Sequence, residues 1–200
     1  MDIRNPREMT SPYDAVSNEA IVRFIAENPM AWIVPTADPS AALLMPLLLE
    51  GDANGSPTAF LGHLPRSAPA TNRLMEQPDA VVLFLGPNAY IQPSWISKPG
   101  WAPTWNFVSL KAAGAISLDS SLSAEAVTRL VDHMEGLTAS GWTVGAIGPR
   151  FDDLLTHIIG FRMRIDELTP RFKVGQDEHP ESRQEIRSAL AGHPLAKWMD

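Results

Sequence analysis

Residues 86–107 read GPNAYIQPSWISKPGWAPTWNF, and no other stretch restricts the fold so tightly. Three of the six tryptophans fall here, among four prolines and with Lys98 as the only charged side chain. Proline removes a helical donor and clashes with the preceding turn, which argues against a helix. A disordered linker is poor in aromatic residues, which argues against a flexible tether. The composition predicts a rigid, aromatic-walled loop between two strands. Its polar groups, Tyr90, Gln92, Ser94, Lys98, Thr104 and Asn106, are short donors and one cation beside flat apolar faces. Such a mix can hold the phosphate and the ring of a planar cofactor.

With 200 residues, 44% of them hydrophobic, the chain can bury a core of its own. The expectation is a single domain over 1–200 with a helical tail from about 178. No cysteine is present, which excludes disulfides, thiolate metal sites and cysteine nucleophiles and fits a reducing cytoplasm. The opening residues MDIRNPREMTSPY lack the apolar core of an export signal, and no apolar run reaches membrane-spanning length. We therefore expect a cytoplasmic protein. Its formal net charge is -7, with no basic stripe to neutralise phosphates, so direct DNA contact is not expected. His133, His157, His179 and His193 show no metal-ligand spacing, and no nucleophile elbow, Walker or dinucleotide pattern occurs.

Along the chain, residues 18–28 place Ala20, Ile21, Phe24 and Ile25 at helical spacing, with Ser17 as the cap and Pro29 as the stop. AWIVPT, ALLMPLLLE and TAFLGH follow as three strands of a meander, with Pro35 and Pro46 at edges or bulges. A short helix between prolines leads to DAVVLFLGP, a buried strand, and then to the aromatic loop. NFVSLKAAGAISL reads as a long strand and 122–138 as an amphipathic helix capped by Ser123, with Ala126, Val127, Leu130, Val131 and Met134 on its apolar face. GWTVGAIGPR reads as loop and FDDLLTHI as a short helix. IGFRMRIDEL alternates, Phe161, Met163 and Ile165 inward against Arg162 and Arg164 outward. A turn-rich PRFKVGQDEHP and a last helix, ESRQEIRSALAG, complete the chain. Six or seven strands with helices at the start, middle and end predict an antiparallel barrel of the α+β class.

Five short motifs resemble one family. AYIQPSW and PTWNF are similar to the AYISPSWY and VPTWNY of the PaiB-like FMN-binding proteins, a family of negative transcriptional regulators. Gly62 to Arg66 resembles its GHLAR, Ile159 to Phe161 its IVGF, and Arg171 to Asp177 its KWKLSQN, so the likeness spans nearly the whole chain. It implies an antiparallel split barrel of the flavin-reductase and pyridoxamine-phosphate-oxidase type with peripheral helices, and a homodimer with FMN at its seam. It implies a role as negative transcriptional regulator as well. The chain departs from the family where Leu43, Leu44, Met45 and Pro46 stand for THLP, and where Ala68, Thr71, Gly175 and Asp177 replace the usual residues. Two further functions share this fold: a flavin-dependent oxidoreductase, and a haem b enzyme of the piperazate synthase kind, for which His63 would be the axial ligand.

The candidate cofactor residues are His63, Arg66, Ser94, Trp95, Lys98, Thr104, Trp105, Asn106, Lys173 and Gln176. Arg66, Lys98, Ser94 and Thr104 are the phosphate set, Trp95 and Trp105 the stacking surfaces, and Gln176 a partner for the polar edge of a flavin. Each has a plainer role open to it. His63 and Arg66 can be surface turn residues, Ser94 and Thr104 turn formers, the tryptophans interface core, and Lys173 and Gln176 part of a solvated loop.

Overall fold

The computed structural model describes residues 11–138 and 140–199; the first ten residues, the greater part of the stretch without an export pattern, lie outside them. The described chain forms two compact units, one from 18–84 and 111–168, the other from 11–17, 85–110 and 169–199. Eight strands build an antiparallel sheet: β1 (Met30–Pro35), β2 (Leu43–Pro46), β3 (Leu48–Gly51), β4 (Pro57–Pro65), β5 (Asp79–Ile91), β6 (Thr104–Asp119), β7 (Ile158–Arg164) and β8 (Glu167–Lys173). Their order is β2-β1-β5-β6-β7-β4-β3, with β8 also pairing with β6. The long strands β5 and β6 carry the chain from one unit into the other.

In the larger unit, helix α1 (Asn18–Glu27) buries Ile21, Phe24 and Ile25, the residues its 3.6-residue period placed on one face. Phe24 meets Phe84 of β5 edge-on at 6.3 Å, and Phe60 of β4 lies 5.5 Å from the same ring. The run ALLMPLLLE is not one strand. It divides at Leu47, whose side chain is fully buried and whose N–H donates to Pro29 O at 2.9 Å. Pro46 offers no ladder donor, and the chain leaves β2 there to begin β3, so these two strands stand at opposite ends of the strand order rather than in a meander. Pro35 and Pro46 both close their strands.

Helix α2 (Pro69–Glu76) buries Ala70, Thr71 and Leu74. Helix α3 (Ser123–Thr138) buries less than its pattern suggests: Ala126 is covered, while Met134 and Leu137 are exposed. Ser123 does not cap it; its hydroxyl accepts from Gly160 N of β7 at 3.0 Å. A Cβ on Gly160 would lie 2.5 Å from Leu122 C, so the glycine of the IGF motif is what lets α3 start against the strand. An ion-pair ring fixes that contact. Arg162 binds Glu50 and Glu125 at 2.8 Å each, and Arg129 binds the same two carboxylates at 2.5 and 2.9 Å. The segment expected to be loop before FDDLLTHI contains a 3-10 turn, and the helix α4 (Arg150–Leu155) follows it.

In the smaller unit the tail supplies most of the core. Phe172 and Trp198 pack edge-on at 5.5 Å, and Val174, Ile186, Leu190 and Leu195 are buried with them. Helix α5 (Pro180–Ala189) turns Ile186 and Ser182 inward.

Candidate functional site

The aromatic stretch is strand at both ends and irregular in the middle. Strand β5 continues to Ile91, a 3-10 turn covers Pro93–Trp95, and β6 starts at Thr104. Gly100 makes the bend between them at φ 75°, a conformation open to glycine because it lacks a Cβ. The tail holds this loop. Trp101 Nε1 donates to the Glu178 carboxylate at 3.0 Å, and Ser97 N donates to Glu185 of α5 at 3.1 Å.

Lys173 and Thr104 meet in this unit, and Asn106 lies two residues along β6 from Thr104. The Lys173 ammonium donates to Thr104 Oγ1, and among the described residues no carboxylate pairs with it. Asn106 is 1% exposed, and its Nδ2 has no hydrogen-bond partner. Buried amide donors are almost always satisfied, so an orphan beside a cation and a hydroxyl marks a place for an acceptor. Gly175, at φ 82°, turns the tail loop directly over Asn106; a Cβ there would sit 3.8 Å from Asn106 Nδ2. Gln176 secures the loop from within, accepting from Val174 N at 2.8 Å and donating to Phe172 O. Its amide thus shapes the turn. Asp177 accepts from Tyr13 OH, and that bond first, with burial, pushes the phenol up to about 12.

Trp105 is 54% exposed and meets Tyr90 edge-on at 5.7 Å, an aromatic pair open to a stacked ring. Trp95 is half-buried, its N–H closing the 3-10 turn onto Gln92 O. Ser94 and Lys98 are exposed on the same loop, Ser94 Oγ lying 3.4 Å from Gln92 Oε1.

His63 and Arg66 belong to the larger unit. His63 sits on β4 opposite Gly160, with Nδ1 buried and without a partner; burial holds its pKa below the ordinary histidine range, so the imidazole is neutral at pH 7. Arg66 follows the end of β4, exposed, its guanidinium donating to Ser120 Oγ at 2.8 Å. Among the described residues no carboxylate pairs with it. Tyr13, Trp101, Glu178, Arg183 and Glu185 were not among the residues expected at the site. Only Trp101 carried a signal, by its place in the aromatic run.

The family model described as "Putative FMN-binding domain" matches residues 9–167. The Bacillus subtilis "Protease synthase and sporulation protein PAI 2" is 26% identical over 192 residues, which cover 94% of this chain and 92% of that protein. Among solved structures, the FAD and heme binding protein from Mycobacterium smegmatis superposes with a TM-score of 0.60 at 14% identity, over 87% of this chain and 78% of that one. The flavocytochrome Anf3 from Azotobacter vinelandii gives a TM-score of 0.55 at 16% identity, over 82% and 75%. At these identities the two structures bear on the fold alone.

Proposed function

This chain belongs to the FMN-binding domain family, with the split-barrel fold of its PaiB-like members, and on that premise we propose that it binds FMN and works as a homodimer. The observation that carries the reading is the cluster of the Lys173 ammonium, the Thr104 hydroxyl and the buried, unpartnered Asn106 Nδ2 donor. FMN presents a phosphate and a ring edge bearing carbonyl oxygens, and a cation, a hydroxyl and an amide with no competing carboxylate complement either. Bound FMN supplies the redox centre. The chain grips and orients it, with Trp105 and Tyr90 offering aromatic faces and Ser94 and Lys98 further donors to the phosphate. Trp95 backs the loop.

Homodimer formation is supported by an apolar face of the sheet. Trp32, 50% exposed, has Leu44 on one side and Leu83 on the other as cross-strand neighbours, both exposed, and Met30 is exposed two residues along β1. A contiguous apolar patch of this kind marks an interaction surface. A cytoplasmic location fits the cysteine-free composition, and no helix among the described residues is long and apolar enough to cross a membrane. Regulation of transcription, which the family resemblance implies, would on this reading pass through the cofactor or a partner rather than through a basic DNA-binding face.

An absorption spectrum of the purified protein, as isolated and after adding FMN, tests the reading. Flavin bands that stay with the protein on gel filtration are expected. No retained flavin after reconstitution would refute it. His63 favours haem b as a second reading, because a neutral, half-buried imidazole with an unpartnered nitrogen suits an axial ligand. A sharp Soret band would select it. Light scattering at micromolar concentration should give twice the chain mass.

A further inference from the structure

We propose that the tail unit carries an oxyanion subsite over Gly175, formed by the Asn106 amide and the Arg183 guanidinium, that takes a carboxylate or phosphate group. The turn packs both side chains against Gly175: a Cβ there would lie 3.8 Å from Asn106 Nδ2, 3.8 Å from Cγ of the stem that carries the Arg183 guanidinium, and 3.7 Å from Met199 Cε. Asn106 Nδ2 and Arg183 Nε are both buried without a partner. Both atoms are donors. What the pair lacks is an acceptor.

Arg183 is half-buried and spends one donor, Nη2, on Met199 O at 2.6 Å. No carboxylate among the described residues pairs with it. The acids that flank it in the chain are engaged elsewhere, Glu185 with Ser97 N, Glu178 with Trp101 Nε1, and Glu181, exposed, 4.0 Å from His179 Nδ1. A guanidinium partly withdrawn from water without an anion is costly, and so is a buried amide donor left open; one oxyanion satisfies both. The planar fork of arginine fits two oxygens of a carboxylate or phosphate. A cleft of about 420 Å3 opens beside Arg183, lined also by Gln176, Glu178, Gln184, Arg187 and Met199. That volume admits a small molecule bearing such a group.

This subsite shares Asn106 with the cluster proposed above for FMN and uses neither Lys98 nor Ser94, and it does not depend on the identity of the cofactor. The oxyanion can come from the phosphate of a flavin or from an independent small ligand.

The test uses flavin-free protein melted in potassium phosphate and in potassium chloride of equal ionic strength. The melting temperature should rise by about 3 °C or more at saturating phosphate relative to chloride. Arg183→Gln should abolish that rise. Asn106→Asp keeps the side-chain size and sets a carboxylate against Arg183, so the variant should fold, melt no lower than the parent protein and lose the response to phosphate. A parent protein that melts identically in the two salts overturns the inference, as does a response retained in Asn106→Asp. Titrations with FMN and riboflavin identify the source. Phosphate that competes with FMN and not with riboflavin assigns the site to the flavin's own phosphate, and competition with neither assigns it to a separate ligand. Binding of both flavins without any phosphate response leaves the flavin reading intact and removes the subsite; a phosphate response without flavin binding does the reverse.

Discussion

Replacing Lys173 with methionine distinguishes a ligand-facing cation from a structural one. Lys173 closes β8, half-buried, with the Thr104 hydroxyl as its partner and no paired carboxylate among the described residues. The fold therefore carries the desolvation of this charge without an internal anion to offset it. Methionine keeps the length and the apolar stem, so the flavin-free protein should melt at the same temperature or up to about 3 °C higher. Flavin binding should move the other way. A charge-assisted hydrogen bond contributes about 1.5 to 3 kcal/mol, and partial exposure of Lys173 places it at the lower end. The dissociation constant for FMN should rise about tenfold. Quenching of flavin fluorescence measures the affinity, and differential scanning fluorimetry of flavin-free protein measures the fold. A loss of several degrees with unchanged affinity would make Lys173 a structural residue and refute the donor-cluster argument.

Arg66→Ala should weaken FMN about tenfold and leave riboflavin, which has no phosphate, unchanged; equal losses would put Arg66 at the ring or in the fold, and no loss would confine it to its bond with Ser120. Trp105→Ala should reduce dimerisation and cofactor retention together, measured by light scattering and flavin content, and loss of one alone would separate the interface from the site. Glu50→Gln should lower the melting temperature by about 4 °C at pH 7. Burial works to raise the Glu50 pKa but is outweighed by hydrogen bonds from Arg162 and Arg129, which hold it below the ordinary carboxyl value. That contribution is present above the ordinary value and is lost as pH falls through the lowered one, so the gap between variant and parent should close in acid. Fluorescence anisotropy with DNA at physiological salt should show no sequence-dependent binding below micromolar concentration, as a net charge of -7 without a basic stripe requires.

Periodicity made α1 and β7 legible, because each buries one face and exposes the other: Ile21, Phe24 and Ile25 in the helix, Phe161 and Met163 against Arg162 and Arg164 in the strand. It misled at ALLMPLLLE, where a continuous apolar run carries no mark of the place at which the chain leaves one strand for another. Only Pro46 hinted at the break. The overstated apolar face of α3 has a similar cause, since an amphipathic pattern fixes which side is apolar and not how much of it a neighbour covers. In the site, Thr104, Asn106 and Lys173 were visible through their motifs. Arg183 and Glu178 were not, because their significance lies in long-range meetings around the tail loop that no local spacing encodes. Gln176 carried a motif that pointed to the flavin edge, whereas its amide is engaged in holding its own loop.

The tethers from Glu178 and Glu185 to the aromatic loop give the region after residue 167 a modular character. The family match ends there, yet Lys173, Gly175 and both tethers lie beyond it. A chain cut at that boundary would retain most of the sheet while releasing Trp101 and Ser97 from their anchors and deleting the cation nearest Thr104. A change in this last segment therefore reaches the Lys173–Thr104 pair and both tethers while leaving the pairings among β1 to β7 untouched.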